Sequence, residues 1–470
     1  MTTSGHERMS SVDTAWLRMD GPDNTMMIVG VSVTGTPVRP DDFRRMIEQR
    51  LLCFSRFSRR VAADALGASW VDDDAFDLDA HLVLAELPPP AGKDELQALV
   101  SRLASETLDP ARPMWQVHLV ERYERGSAWI IRVHHCYADG IAMMRVLLSM
   151  TEQDAGPALS RRPARPSPRP DVLPVLGWLQ HLAMPAGDIL ENALAEGARL
   201  LEGGVHQLFH PGRAAALAGN LGGMAGEFVR VLALPDDPVT PLRGALSGEK
   251  TVAWATPIPL HEVRTIGKAL GCSVNDVLMA TVAGALGGHL REQGVDTRGL
   301  TVRASVPVNL READEPLSLG NKFGLVFVEL ALGLANPLQR LRATHEAMAT
   351  LKGSLQPAAS LMSLGLMGML PAAAQAPLYI CGQRVTEMYF WVPQSGSIGL
   401  GISILSYAGQ VHFGMIADRA LVPSPAEVVE RLPAEFEKLL LATVMGALAL
   451  RKLPRSRIDT VQQKARNRPQ

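Results

Sequence analysis

Seven residues of this chain, His134-His135-Cys136-Tyr137-Ala138-Asp139-Gly140, end one element and begin another, and that junction constrains everything around it. Upstream, Trp129 to Val133 is rich in β-branched and aromatic residues and reads as a strand. Downstream, Ile141 to Met150 is apolar at helical spacing. The turn between them ends in Asp139-Gly140, where glycine supplies whatever backbone angle the reversal needs. Two histidines and an aspartate are therefore held where a strand meets a helix, a place where polar side chains can face a cleft. An imidazole suits general-base work because its unperturbed pKa is about 6.5. Asp139, four residues on, can fix the tautomer of His135 or pin the turn by pairing elsewhere. A buried histidine pair capped by a turn aspartate fits the same residues. A metal site fits them less well: the string offers at most three ligands, and no HExxH or CxxC pair completes a set.

The 470 residues are enough for two domains with full cores. A formal net charge of -2 predicts no nucleic-acid partner, since phosphate binding needs a basic excess. Cys53, Cys136, Cys272 and Cys381 lack paired spacing, which suits a reducing cytosol and argues against a disulfide framework. The first sixteen residues hold no apolar core of signal-peptide length, so secretion is not expected. No uninterrupted apolar run reaches the length of a membrane span. The nearest case is the uncharged stretch between Lys352 and Arg384, broken by Pro357, Pro371 and Pro377. Within it, 361–370 reads as a buried helix or as one touching a lipid interface.

Helices and strands mix throughout, so the fold class is α/β. The expected units are residues 1–155, carrying the histidine string; 156–240, a linker and helical crossover; 241–455; and a basic tail at 456–470. Arg161 to Pro170 marks the linker, because proline at that density sustains neither helix nor central strand. In the first unit, Ser10 is a candidate N-cap, Asn24 to Val33 a strand, Asp41 to Leu52 and Lys93 to Leu108 helices, and Arg112 to Val120 a strand. In the third, Ser273 and Asp276 form a capping box at a helix start. That leaves the amide of Asn275 at the helix N-terminus, where it can donate to a developing oxyanion. Gly401 to Met415 reads as a hairpin turning at Ala408-Gly409, and Pro425 to Leu450 as a final helix.

The string His-His-x-x-x-Asp-Gly resembles the motif of acyltransferases that use coenzyme A or carrier-protein thioesters on the chloramphenicol-acetyltransferase-like fold. Other landmarks extend the resemblance over nearly the whole chain, to the bacterial wax ester synthase/diacylglycerol acyltransferase family. They are Ser10, Asp13, Met26 and Ile28; Pro113-Met114-Trp115; Asn275-Asp276; Pro307, Val308 and Arg311; Gly320-Asn321; and Ser406, Tyr407, Gly409 and Asp418. The resemblance implies two chloramphenicol-acetyltransferase-like domains joined by a helical crossover, with a tunnel between them. It implies transfer of a long-chain acyl group from acyl-CoA, a co-substrate and not a cofactor, to diacylglycerol or a long-chain alcohol. By the same resemblance His135 is the general base and His134 orients the loop or lines the tunnel. Asp139 then pairs with Arg303 or Arg311 to hold the loop, and Gly140 and Asp276 are structural. No metal, no cofactor and no GxSxG nucleophile elbow are expected. Such a protein is cytoplasmic and attaches peripherally to a membrane or lipid droplet. Two alternatives keep the fold: an acyltransferase with another acceptor or a carrier-bound donor, and a non-catalytic lipid or acyl-CoA binder. One departure stands out. Where members carry Ser-Asn-Val-Pro-Gly-Pro before Pro-Leu-Tyr, this chain has Met369-Leu370-Pro371-Ala372-Ala373-Ala374 before Pro377-Leu378-Tyr379.

Overall fold

The computed structural model describes residues 6–64, 67–152, 237–309, 319–321, 323–354, 376–394 and 396–451. The 156–240 crossover (save its last four residues), the tail, the 369–374 block, the apolar 361–370 stretch and Arg311 lie outside them.

The first half runs β1 (His6–Arg8), α1 (Ser11–Met19), β2 (Met27–Thr34), α2 (Pro40–Met46, prolonged by a π turn to Leu51), β3 (Arg59–Asp64) and β4 (Gly67–Asp72). It continues with β5 (Leu82–Ala85), α3 (Lys93–Ser105), β6 (Trp115–Tyr123), β7 (Gly126–His134) and α4 (Gly140–Met150). The second half holds β8 (Lys250–Trp254), β9 (Ile258–Pro259), α5 (Leu260–Leu270), α6 (Val274–Glu292), β10 (Thr301–Asn309), β11 (Phe323–Ala331) and α7 (Pro337–Ser354). After these come β12 (Tyr379–Ile380), β13 (Gln383–Trp391), β14 (Leu400–Tyr407), β15 (Gln410–Asp418), α8 (Pro425–Val429) and α9 (Arg431–Arg451). The single final helix expected from the sequence is thus two. Pro433 cannot donate to the carbonyl of Val429, so the helical ladder breaks at Glu430 and restarts.

The strand that carries the histidines is central in a six-stranded sheet of order β12-β13-β2-β7-β6-β5, antiparallel except for β5 on β6. Every residue of β2 and β7 is buried, because both faces of the sheet are covered. On one face Ile28, Trp129, Ile131 and Val133 pack with Phe43 of α2 and Ala142, Met143 and Val146 of α4. On the other, Val29, Val31 and Ile130 pack with Leu96, Leu99 and Leu103 of α3 and with Trp254, Trp391 and Ile416 from the second half.

The halves also share strands. β13 pairs antiparallel with β2, placing Trp391 opposite Val29 and Tyr389 opposite Val31, so residues beyond 376 complete the sheet begun by the first half. The hairpin β14–β15 turns at Ala408-Gly409, both at positive φ, and joins β8 in a second sheet. The Tyr407 hydroxyl donates to the Val385 carbonyl at 2.8 Å and accepts from the Leu378 N–H at 2.9 Å, tying this hairpin to β12 and β13. A second core lies under it, where Val277, Ala280, Ala283 and Leu286 of α6 meet Leu341 of α7, Leu432 and Phe436 of α9, and Phe413 and Met415 of β15.

Candidate active site

The loop from His134 to Asp139 is fixed at one end by its backbone and at the other by the side chain of Asp139. The His134 N–H donates to the Met114 carbonyl at 3.0 Å and the His135 N–H to the Met26 carbonyl at 2.8 Å, anchoring the histidines to the ends of β6 and β2. At the other end Asp139 is the N-cap of α4. Its Oδ1 accepts from the Ala142 N–H at 2.8 Å, in the manner that makes aspartate a strong cap. Tyr137 packs inward against Trp70, and its hydroxyl accepts from the Met114 N–H and donates to the Arg59 carbonyl.

The two histidines differ in surroundings, although both are almost fully buried. The Nδ1 of His134 accepts from the Cys136 N–H at 3.1 Å, which leaves the proton on Nε2, 3.8 Å from Asp20. Burial lowers its pKa, and Asp20 works the other way. The ring of His135 stacks on the indole of Trp16 from α1. Burial pulls its pKa down to about 4 and nearby His134 pushes the same way. Asp139 and hydrogen bonds to its own backbone carbonyl and to Asn321 oppose this. Both imidazoles are therefore neutral at pH 7, the state a general base requires.

A turn from the second half closes over the loop. The Gly320 N–H donates to the Tyr137 carbonyl at 3.1 Å and the Asp139 N–H to the Gly320 carbonyl at 3.3 Å, so Ala138 and Gly320 form a short parallel bridge. The Asn321 amide then donates to Asp13 Oδ1 at 2.8 Å and to the His135 carbonyl at 2.9 Å. Asp13 is buried, held by Ser10 and by Arg56, whose guanidinium lies 3.7 Å away and lies over Trp70. Burial raises the pKa of Asp13, while Asn321, Arg56 and Ser10 lower it.

The residues expected at the site divide. His134, His135, Asp139 and Gly140 lie together. Arg303, one of two arginines expected beside Asp139, gives its Nε to Asp237 at 2.6 Å. Asn275 is the second residue of α6 and is half-buried. The capping box is as expected: the Ser273 N–H donates to Asp276 Oδ2 at 2.8 Å, and the Asp276 N–H to the Ser273 hydroxyl at 3.1 Å. Asp276 also holds His345 of α7, whose Nδ1 is 2.7 Å from the same oxygen. Cys272, Asp276 and His345 bring donor atoms within 4.8 Å of one another. Asp276 is already engaged by the capping box and His345, and the positive end of α6 opposes a cation there. Trp16, expected only as part of a short first helix, and Asp20 and Arg56 are site residues that the sequence does not announce. Ser10-x-x-Asp13 announces a helix start but not that Trp16, three residues on, covers an imidazole.

The sequence profile of the wax ester synthase/diacylglycerol acyltransferase catalytic domain matches residues 9–278, and that of the family's C-terminal domain matches 319–378 and 372–440. A probable diacylglycerol O-acyltransferase of Mycobacterium tuberculosis is 26% identical, over 94% of this chain and 99% of its own length. A second protein of that organism, a putative diacylglycerol O-acyltransferase, is 28% identical over 93% and 97%. Among solved structures, the wax ester synthase/diacylglycerol acyltransferase of Marinobacter aquaeolei VT8 superposes with a TM-score of 0.64 at 21% identity, over 93% of this chain and 99% of that one. The first condensation domain of the calcium-dependent antibiotic synthetase gives 0.59 at 15% identity, over 94% and 97%. The chloramphenicol-acetyltransferase-like fold is common to all three.

Proposed function

Since the chain belongs to the wax ester synthase/diacylglycerol acyltransferase family, we infer that it is an acyl-CoA-dependent O-acyltransferase acting on glycerolipid or alcohol hydroxyls. The observation that carries the reading is a neutral, buried His135 held at a strand-to-helix turn, with its loop braced from both halves. An alcohol is far too weak an acid to ionise alone at neutral pH. As its oxygen attacks the thioester carbonyl, His135 takes the proton. Collapse of the tetrahedral adduct breaks the carbon–sulfur bond, and the proton passes from the imidazolium to the departing thiolate. No acyl-enzyme is needed. Asn275 donates to the oxyanion. His134 and Asp20 hold the start of the loop and Asp139 holds its end by capping α4; Gly140, already helical and not at a positive φ as the turn had suggested, leaves room for Val392 and Phe390, which a Cβ there would meet at 3.0 and 3.3 Å.

The acceptor is diacylglycerol, a long-chain alcohol or both. The two chain halves act as domains linked by the crossover, with donor and acceptor meeting at the loop. Such apolar substrates reach the protein at a membrane or lipid-droplet surface, to which it attaches peripherally. In keeping with this, no single helix among the described residues is long and apolar enough to cross a membrane.

Purified protein is assayed with palmitoyl-CoA and either dioleoylglycerol or hexadecanol, following free thiol. Transfer to at least one acceptor is expected, with a loss of two to four orders of magnitude in His135→Ala, about what a general base contributes. Binding of acyl-CoA without turnover would make the protein a lipid binder of this fold. Normal turnover in folded His135→Ala would remove His135 from the mechanism.

A further inference from the structure

We propose that Trp16 acts in the reaction through His135, as a positioning residue whose π face stabilises the imidazolium formed when the base takes the acceptor's proton. This rests on His135 being the base.

The proton leaves the acceptor hydroxyl for His135 at attack, and leaves His135 for the thiolate at collapse. Between those steps a full positive charge sits on a residue that is only 3% exposed. Water would ordinarily solvate that charge, and burial excludes it, which makes His135 a weak base. Of the titratable groups acting on the ring, His134 disfavours the charge and Asp139 favours it. Asp139 Oδ1 also accepts from the Ala142 N–H, and the positive end of α4 offsets part of the carboxylate's field.

The indole of Trp16 adds to that support. Its ring centroid lies 4.0 Å from that of the imidazole, with the planes 25° apart, so the charge forms over the negative face of the indole. That separation is well inside the reach of about 6 Å for a cation–π contact, which is strongest where water is excluded. A weak base gains rate from anything that favours its protonated form, provided the neutral form still predominates at the working pH. The two rings are held at this separation. Asp13 and Trp16, three residues apart, share one face of α1. Asp13 Oδ1 accepts from the Asn321 backbone N–H at 3.2 Å and from its side-chain amide at 2.8 Å, and the same amide donates to the His135 carbonyl at 2.9 Å. One asparagine thus ties down both the helix that presents the indole and the loop that presents the imidazole.

The test keeps the shape of Trp16 and withdraws its π charge. Mono-, di- and trifluorotryptophan are placed at position 16 alone in the full-length protein by nonsense suppression. Each fluorine drains the ring face and adds little volume, whereas Trp16→Ala would also admit water, which solvates the imidazolium in the indole's stead. His135 is followed by its ring nitrogen-15 signals, assigned by their loss in His135→Ala. Its titration midpoint should fall by about 0.5 pH unit per fluorine. With palmitoyl-CoA and either acceptor, kcat should fall by about twofold per fluorine, less than the midpoint implies because the proton is only part-transferred in the transition state. KM for palmitoyl-CoA should change less than about twofold throughout. The same series at Trp254, in the core between the halves, should leave both readouts unmoved. A midpoint that ignores fluorination at position 16, or moves equally with fluorination at Trp254, would overturn the assignment even if activity falls. Undiminished turnover in folded His135→Ala would instead strike the general-base reading beneath it.

Discussion

The indole of Trp16 lies nearly parallel to the imidazole of His135, with ring centroids 4.0 Å apart and planes inclined by 25°. An aromatic residue of the first helix therefore covers a histidine more than a hundred residues later, and takes part in the burial that holds its pKa at about 4.

Trp16→Ala should let water reach that ring. Burial lowers the pKa of His135, so uncovering it raises the pKa toward the ordinary histidine value. The parent's kcat/KM should stay flat to below pH 5, whereas the variant's should begin to fall nearer pH 6. A pH–rate profile decides the matter, and coincident acid limbs would show that Trp16 does not shield the base. Trp16→Phe keeps an aromatic cover and should behave much like the parent.

Asp139 separates capping from charge. Asp139→Ala removes the acceptor for the Ala142 N–H and should cost about 1 kcal/mol of stability, together with activity. Asp139→Asn keeps a capping oxygen, so its melting temperature should stay close to the parent's. A fall in the asparagine variant as large as in the alanine one would mean that the negative charge matters more than the cap.

Acid should weaken the fold through its buried histidines. His118, His135 and His412 all have pKa values lowered to about 4, chiefly by burial. Between the unfolded value of about 6.5 and pH 4, the unfolded chain binds protons that the folded one refuses. Stability is therefore full above the first value and declines as pH falls through the window, by up to about 1.4 kcal/mol per pH unit for each such histidine. Urea unfolding at pH 7.5, 6 and 5 would measure it, and equal midpoints would contradict it.

His412 itself is a test of that cost. It is buried between the rings of Tyr389 and Tyr407, and neither of its nitrogens has a hydrogen-bond partner among the described residues. A buried donor left unmade costs about 1–3 kcal/mol. His412→Leu, of similar volume, should unfold at the parent's temperature or above it and be less acid-sensitive. A clearly lower melting temperature would show that the imidazole is satisfied by a bound water.

How legible the site is depends on how far its parts lie apart in sequence. The strand, turn and helix around His134–Gly140 are local, and periodicity with one glycine suffices to place them. The capping box at Ser273 and Asp276 and the Ala408-Gly409 hairpin are local in the same sense. Asn321 meets His135 across 186 positions, and nothing in a Gly-Asn turn states which distant carbonyl it will bridge. The π turn after α2 and the break before Pro433 are also set by packing and by one missing N–H, below the resolution of a hydrophobic pattern.

The pairing of β13 with β2 has a consequence for synthesis. Residues 29–34 cannot find their partners until residues 385–391 exist, so nearly the whole chain must leave the ribosome before the main sheet can close. Until then one flank of β2, an eight-residue strand whose every side chain is destined for the interior, offers unsatisfied amides to any neighbouring nascent chain. Such a topology folds slowly and late, because the loop joining the partners must be closed before any pairing repays it. Overproduction at low temperature or with holdase chaperones is the regime that suits it, and severing the chain between its halves would yield a fragment that aggregates.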